Sequence, residues 1–468
     1  MRTHFASLLR SGPAAVALLV AGACDTTLTN PGLTPDQDLD KPGSWPAIVI
    51  GARRALSDAI GSSTTPVSQL LYWGAAVTFE INPAGSTGSY GIPTDVQAGL
   101  PTDATMNGDW TQSNVARYTA EAAVARFRRV MPDTVFPKSP LVAQAYLYAG
   151  FANRLLGENF CQSVIPIEVP DSLHYVLAPG SLGSHTLYFL RADTALTNAI
   201  AAFTATGKTD TQTVNFLRAA RAGRASVRAD LASAGLRPWS DATADSALIP
   251  DTFKFQVPYS SASPDQYNYL YWARANQSFR AHTEWGTFYE DYYRRTRDPR
   301  VRWDTTTKSD TLGDAAVAKF GGRVPFWPEA KYTKTSDPVR ISSGWEMRLI
   351  EAEAALVNND AVTAVDKMNL RRANLALPLY STAITVDSAW SLLKLERALE
   401  LWLEARRLGD LRRWIANNVP GAYTDGTYRV SHPGTLSPTP IETMTAPVAR
   451  ALCFPVGRNE RETNPNVP

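Results

Sequence analysis

Nine tyrosines and tryptophans crowd one stretch of the chain: Tyr267, Tyr269, Tyr271, Trp272, Trp285, Tyr289, Tyr292, Tyr293 and Trp303, interleaved with Arg, Asn, Gln and Asp. A shorter group holds Tyr72, Trp73, Glu80, Asn82 and Tyr90. A sugar ring presents apolar C–H faces bordered by hydroxyls. Aromatic faces cover the first, and amide, carboxylate and guanidinium groups hydrogen-bond the second. Extended peptides use the same chemistry with backbone bonds added. The candidate ligand contacts are Trp73, Asn82, Tyr90, Trp110, Trp272, Trp285, Tyr289 and Trp327. Packing is the competing reading, because Tyr289, Tyr292 and Tyr293 have helical spacing.

Signatures of catalysis are thin. The five histidines (His4, His174, His185, His282, His432) show no metal-ligand spacing, and neither a nucleophile elbow nor a phosphate-binding loop is present. No metal or cofactor is expected. A glycosidase needs only two carboxylates at a set separation, and no pair stands out. Carboxylates are densest in residues 395–414, LERALELWLEARRLGDLRRW. Leu395, Leu399 and Trp402 form one apolar stripe at i, i+4 and i+7. Glu396, Arg397, Glu400, Glu404, Arg406 and Arg407 fill the other faces. Their spacing predicts surface ion pairs, Glu400 and Glu404 each with Arg407, rather than an acid–base pair. Gly409 is expected to interrupt the helix and Asp410 to open a second one.

The elements that would position these residues read as helices. Periodic apolar positions predict helices over 44–60, 66–79, 109–131, 141–156, 184–205, 211–234, 343–357, 361–373, 387–408 and 410–417. Ile48, Ala52, Leu56 and Ile60 share one face, and Gly157 is a natural residue to end its helix. Arg218, Arg221, Arg224 and Arg228 lie on or near one helical face. They could bind anions or cover a helix flank with their alkyl stems. Gly207 and the Asn358–Asp360 turn mark helical hairpins. The expected fold is mainly α, with tetratricopeptide-like helical pairs, although no clean repeat consensus appears. Residues 80–108 and 236–341 read as long irregular excursions, which on a rigid scaffold is where binding usually resides. Residues 418–468 are mostly irregular, with a Pro-rich turn at 438–440.

The N-terminus reads as an export signal over 1–23. Arg2 and Arg10 precede a small apolar run, too short to span a membrane, that ends Val20-Ala21-Gly22-Ala23-Cys24. Small residues before a cysteine suit lipoprotein processing, although Ala21 stands where Leu is usual. The alternative is an ordinary secretory peptide with an incidental cysteine. Residues 24–43, rich in Pro and Gly, read as a tether from a lipidated Cys24. Lipidation leaves Cys161 and Cys453, an even pair expected to form a disulfide, against the alternative of two buried thiols. Losing Arg2 and Arg10 lowers Lys+Arg from 46 to 44, equal to the 44 Asp+Glu. That balance argues against a nucleic-acid partner, which would need a basic face.

Five segments in register carry a resemblance. They are Cys24-Asp-Thr-Thr-Leu-Thr-Asn-Pro, LVAQAYLYAGFANRLLG at 141–157, EMRLIEAEAAL with AVDKMNLRRA at 346–373, the 395–414 run, and FPVGRNERETNPN at 454–466. Together they resemble the SusD/RagB family of outer-membrane nutrient-binding lipoproteins along nearly the whole chain. Val456 and Gly457 depart from the Ile-Pro often found in the closing motif. The resemblance implies four helical pairs in a nutrient-binding domain over 44–468, anchored by lipid at the surface of the outer membrane. It also implies capture of oligomeric nutrient, most often glycan and in some members peptide. The partner implied is a TonB-dependent transporter of the SusC type. A surface glycoside hydrolase and a protein-only helical adaptor are the readings from other classes.

Overall fold

The computed structural model describes residues 35–61, 68–85, 91–169, 176–275, 280–304, 312–313, 322–422 and 450–468. The signal, Cys24, Tyr90 and the 438–440 turn lie outside them. The chain divides at Ser44/Trp45. Before that boundary, a short helix spans Asp36–Leu39 and a 3-10 turn spans Pro42–Ser44.

After it come helices α1 (Trp45–Gly61), α2 (Leu70–Val77), α3 (Asn107–Val130), α4 (Pro140–Asn159), α5 (Thr186–Ala205) and α6 (Thr211–Ser233). Within the 236–341 excursion lie α7 (Trp239–Ser246), α8 (Tyr269–Ala275) and α9 (Phe288–Thr296). Then follow α10 (Gly344–Val357), α11 (Ala361–Asn374), α12 (Val386–Glu400) and α13 (Arg407–Ala416). The mainly helical expectation holds. Successive helices α3 to α6 pack on one another, as do α10 and α11, with α12 against both. Side-chain caps start several of them. Asp210 accepts from the Thr213 amide at 3.0 Å, Asp360 from Thr363 at 3.0 Å, and Ser343 and Thr385 cap α10 and α12. Each satisfies a donor the helix leaves unpaired.

Close approach of the helices depends on small residues. Gly150 of α4 has no room for a Cβ beside Leu196 of α5. Gly157 does not end its helix, as its residue type suggested. It lies inside α4 against Phe189, where a larger residue would clash. The Arg face of α6 is occupied by ion pairs: Arg224 holds Asp245 at 2.7 Å and Arg228 holds Asp193 at 2.7 Å.

Strands are short and pair antiparallel. β1 (Asn82–Pro83) pairs with β7 (His282–Thr283), and β6 (Lys254–Val257) with β8 (Val339–Ser343). β2 (Gln162–Val164) pairs with β5 (Leu182–Ser184), and β3 (Ile167–Val169) with β4 (Val176–Ala178). Cys161 and Cys453 form the disulfide, bridging 292 positions. Beside it, the Cys161 amide donates to Phe454 O at 2.9 Å and the Phe454 amide to Asn159 O at 2.7 Å. The C-terminal segment is thereby fastened to the end of α4.

Residues 395–414 fold otherwise than their pattern suggests. The helix stops at Glu400, and Gly409 lies within α13. Between them Leu403 and Ala405 take left-handed conformations, with φ 54° and 57°. The charged side chains are not on the surface either. Glu396, Arg397, Glu400, Glu404, Arg406 and Arg407 are all buried. Several of their partners are distant in sequence: Arg340 for Glu400, Lys331 for Glu404, and Glu346 for Arg406.

Candidate functional site

The two excursions meet in a small, irregular platform. β1 pairs with β7, and the Asn82 amide donates to Trp285 O at 2.9 Å. Thr283 is the hub. Its hydroxyl accepts from the Trp285 and Trp327 amides at 3.1 and 2.9 Å, and donates to Pro325 O at 2.9 Å. The Glu284 amide adds a bond to Trp327 O at 2.8 Å. Isolated bridges join Trp303 to Glu329 and Leu312 to Pro325. Ala84, Trp285 and Val324 form a satellite core on which Trp327 packs. Bonds from one threonine to its own turn and to residues 325–327 give loop backbone the order a sheet would supply.

At the edge of this platform Trp303 and Trp327 stack, with centroids 5.3 Å apart and planes at 18°. Arg294, on α9, lies 5.4 Å from one ring centroid and 5.2 Å from the other. Glu290 one turn earlier holds it at 2.7 Å. Trp303 is buried and Trp327 half-buried, while about half of the Arg294 side chain remains exposed (51 %). The arrangement offers an aromatic surface beside a guanidinium whose remaining donors are accessible. Both are suited to a ring with alternating apolar and hydroxylated edges.

Carboxylates lie beneath. Glu284 is fully buried, with Oε1 lacking a hydrogen-bond partner. Burial, and next the charge of Glu329, push its carboxyl well above the ordinary range. Glu80 is buried too and raised by desolvation, against the pull of Arg407. Its Oε1 accepts from the Leu403 amide at 2.8 Å. These groups brace the platform from below, sealed from solvent.

A charge network ties the platform to the helices. Arg300 meets Glu396, and Arg340 and Arg371 meet Glu400 at 2.9 Å each. Lys331 meets Glu404 at 2.7 Å and the Trp402 carbonyl. Burial would raise the Glu400 carboxyl, but Arg340, Arg371 and Arg300 overcome it and hold it below its ordinary value.

The candidate contacts thus separate. Asn82, Trp285 and Trp327 meet in the platform; Asn82 and Trp285 are buried in it. Trp73 is buried, its indole donating to Gly91 O at 3.2 Å. Trp272 is half-buried against Tyr269 on α8. Tyr289 is buried and stacked on Trp402, with centroids 5.4 Å apart. Trp110 is buried edge-on against Phe160, its indole donating to Glu460 at 3.3 Å. Tyr90 lies outside the described residues. Arg294 was absent from the sequence candidates, and Trp303 was noted only within its aromatic run. The i, i+4 pair Glu290–Arg294 facing that run is the signal that could have found Arg294.

Residues 269–467 match the model of the SusD family. Solved structures share the fold. A SusD superfamily protein from Bacteroides thetaiotaomicron is 13 % identical, with TM-score 0.63 over 91 % of this chain and 98 % of its own. A SusD superfamily protein from Parabacteroides distasonis is 12 % identical, with TM-score 0.62 over the same shares, 91 % and 98 %. A SusD-like carbohydrate-binding protein from Bacteroides vulgatus is 15 % identical, with TM-score 0.60 over 91 % and 97 %. No curated protein matches the chain in sequence.

Proposed function

We propose, on the premise that the chain belongs to the SusD/RagB family, that this protein captures an oligosaccharide at the cell surface and passes it to a TonB-dependent transporter of the SusC type. The observation that carries the reading is the Trp303–Trp327 stack with Arg294 beside it, posed on ordered loops. Trp327 would cover a sugar face, and Arg294 would hydrogen-bond its hydroxyls. Trp272, half-exposed on α8, is proposed as a second contact. The family's structural neighbour from Bacteroides vulgatus, described as carbohydrate-binding, supports glycan over peptide. No helix among the described residues is long and apolar enough to cross a membrane. Attachment is proposed to come from lipid on Cys24, which keeps the protein near the transporter and makes re-engagement effectively intramolecular.

Titration calorimetry of the purified mature protein against a glycan panel tests the binding. Trp327→Ala should weaken the best ligand roughly thirty-fold, on the order of 2 kcal/mol for a central aromatic, with the helical circular dichroism spectrum of the parent retained. Undiminished affinity in Trp327→Ala would remove the platform as the site. For the partnership, cross-linking in cells should recover a large barrel protein with the parent chain, and Cys24→Ala should release the protein from membranes.

A further inference from the structure

A second cavity lies away from the aromatic stack, among the charged side chains that join the excursion to the helices. It encloses about 340 Å3, at the lower end of the roughly 300–1,000 Å3 of small-molecule sites. That is room for one ring rather than a chain. Its floor is Glu400 and Glu404, both buried. Each is already matched. Arg340 and Arg371 serve Glu400, while Arg340 and Lys331 serve Glu404. Arg300 also reaches the wall, but its charge is directed to Asp298 and Glu396. At the rim Asp337 accepts from the Thr333 and Lys334 amides at 2.6 and 3.1 Å.

The remaining wall is β6. Its bulge between Phe255 and Gln256 lies where the strand meets β8, and Gln256 is directly opposite Arg340. Lys254 and Gln256 line the cavity, and both are exposed. Among the described residues neither the Lys254 ammonium nor the Gln256 amide has a side-chain partner. Four cations (Lys254, Lys331, Arg340 and Arg371) therefore face three carboxylates (Asp337, Glu400 and Glu404). All three carboxylates are already engaged, so the surplus is one positive charge at the mouth.

We infer that this cavity binds a single acidic sugar unit, a hexuronate whose carboxylate meets Lys254 and the outward donors of Arg371 while its hydroxyls meet Gln256 and the floor. The charge selects a monoanion. Donors and acceptors alternate around the wall, which suits a polyhydroxylated ring. A peptide terminus would call for an apolar side pocket, and Tyr332 and Pro338 are the only apolar-bodied lining residues. A charge-assisted bond in a partly enclosed site is stronger than its neutral counterpart. The inference goes beyond the aromatic platform. It shares the premise of glycan binding but uses no residue of that site.

Digalacturonic acid and its dimethyl ester are the probes, titrated calorimetrically into the mature protein. The acid should bind at least ten-fold more tightly than the ester, and the preference should shrink as salt rises. Lys254→Glu should abolish the preference and Gln256→Ala should weaken the acid several-fold, both at unchanged melting temperature, since both side chains are exposed. Trp327→Ala should leave binding of this probe unaffected. Equal affinity for acid and ester, or an unaltered Lys254→Glu, overturns the inference. So does equal competition by a short acidic peptide. If neutral glycans still bind through Trp327 in that case, the proposed function stands and only this cavity falls. If the acid binds through Lys254 while no neutral glycan binds at Trp327, the reverse holds.

Discussion

Replacing Asp109 by Asn should remove one well-defined pH-dependent contribution to stability. Asp109 sits in the first turn of α3, fully enclosed. Its Oδ1 accepts from Ser68 at 3.0 Å and from the Gln69 amide at 2.8 Å, while Oδ2 has no hydrogen-bond partner. Burial raises the carboxyl from 3.8 to about 7, against the two hydrogen bonds, which lower it. A carboxyl raised on folding binds more protons in the folded state than in the unfolded chain. Its contribution is therefore fully present below pH 4 and is lost as pH rises through 7. The whole loss is about 4 kcal/mol, at roughly 1.4 kcal/mol per pH unit of difference. About 1.5 kcal/mol of it has gone by pH 5, leaving on the order of 2–3 kcal/mol to be lost between pH 5 and pH 8. Asn cannot ionise, but it places N–H donors where Oδ2 finds no partner, at roughly 1–3 kcal/mol. The variant should therefore gain on the parent by on the order of 2–3 kcal/mol between pH 5 and pH 8, and be the more stable protein at pH 8. Urea denaturation of both proteins at half-unit pH intervals measures the difference directly, and other titrating groups cancel in it. A difference independent of pH from 5 to 8 would refute the assignment of a buried, neutral carboxyl.

Three further expectations concern the scaffold. Cys161→Ser should lower stability by on the order of 4–5 kcal/mol in the chain-entropy view of so long a loop, read as a drop in the guanidinium midpoint that reductant reproduces in the parent. Arg413→Ala should lose about 3–5 kcal/mol, because it strips Glu353 and Asp410 of a buried guanidinium that meets both; a loss under 1 kcal/mol in denaturant melts would show the pair to be solvated. Gly150→Val should destabilise by roughly 1–3 kcal/mol by forcing α4 from Leu196, visible as a lower melting temperature with glycan affinity retained.

The long helices were legible because each repeats its apolar positions over several turns, and several open on a recognisable cap. Asp210, Ser343, Asp360 and Thr385 all accept from the amide three residues on. The end of α12 was not legible. Gly409 is the only conventional breaker nearby, yet the chain turns at Leu403 and Ala405. Tertiary bonds impose that turn. Leu403 N donates to Glu80, Leu403 O accepts from Tyr332 at 2.8 Å, and Trp402 O accepts from Lys331. Such partners lie hundreds of positions away or in the excursion, beyond any local pattern. The candidate site was half legible for a related reason. Aromatic–polar interleaving pointed to Trp285 and Trp327, but the same residue types also pack. Tyr289 against Trp402 and Trp110 against Phe160 look no different in sequence from Trp327. Only burial separates them.

The buried charges of residues 395–414 explain how irregular loops are held in one arrangement. Loops alone carry few apolar contacts and open easily. Here each of three carboxylates on or just after α12 fixes a different part of the excursion. Glu396 takes Arg300, Glu400 takes Arg340, and Glu404 takes Lys331. The turn that follows receives Glu80 from the other excursion. Replacing such pairs by apolar residues could leave stability unchanged, since desolvating two ions offsets much of their attraction. What an apolar face lacks is direction. A guanidinium held by two carboxylate oxygens admits one placement of its strand, whereas leucines tolerate sliding. If the proposed site is correct, the Trp303–Trp327 stack would meet its ligand already ordered, which would remove the entropy of arranging loops from the binding free energy.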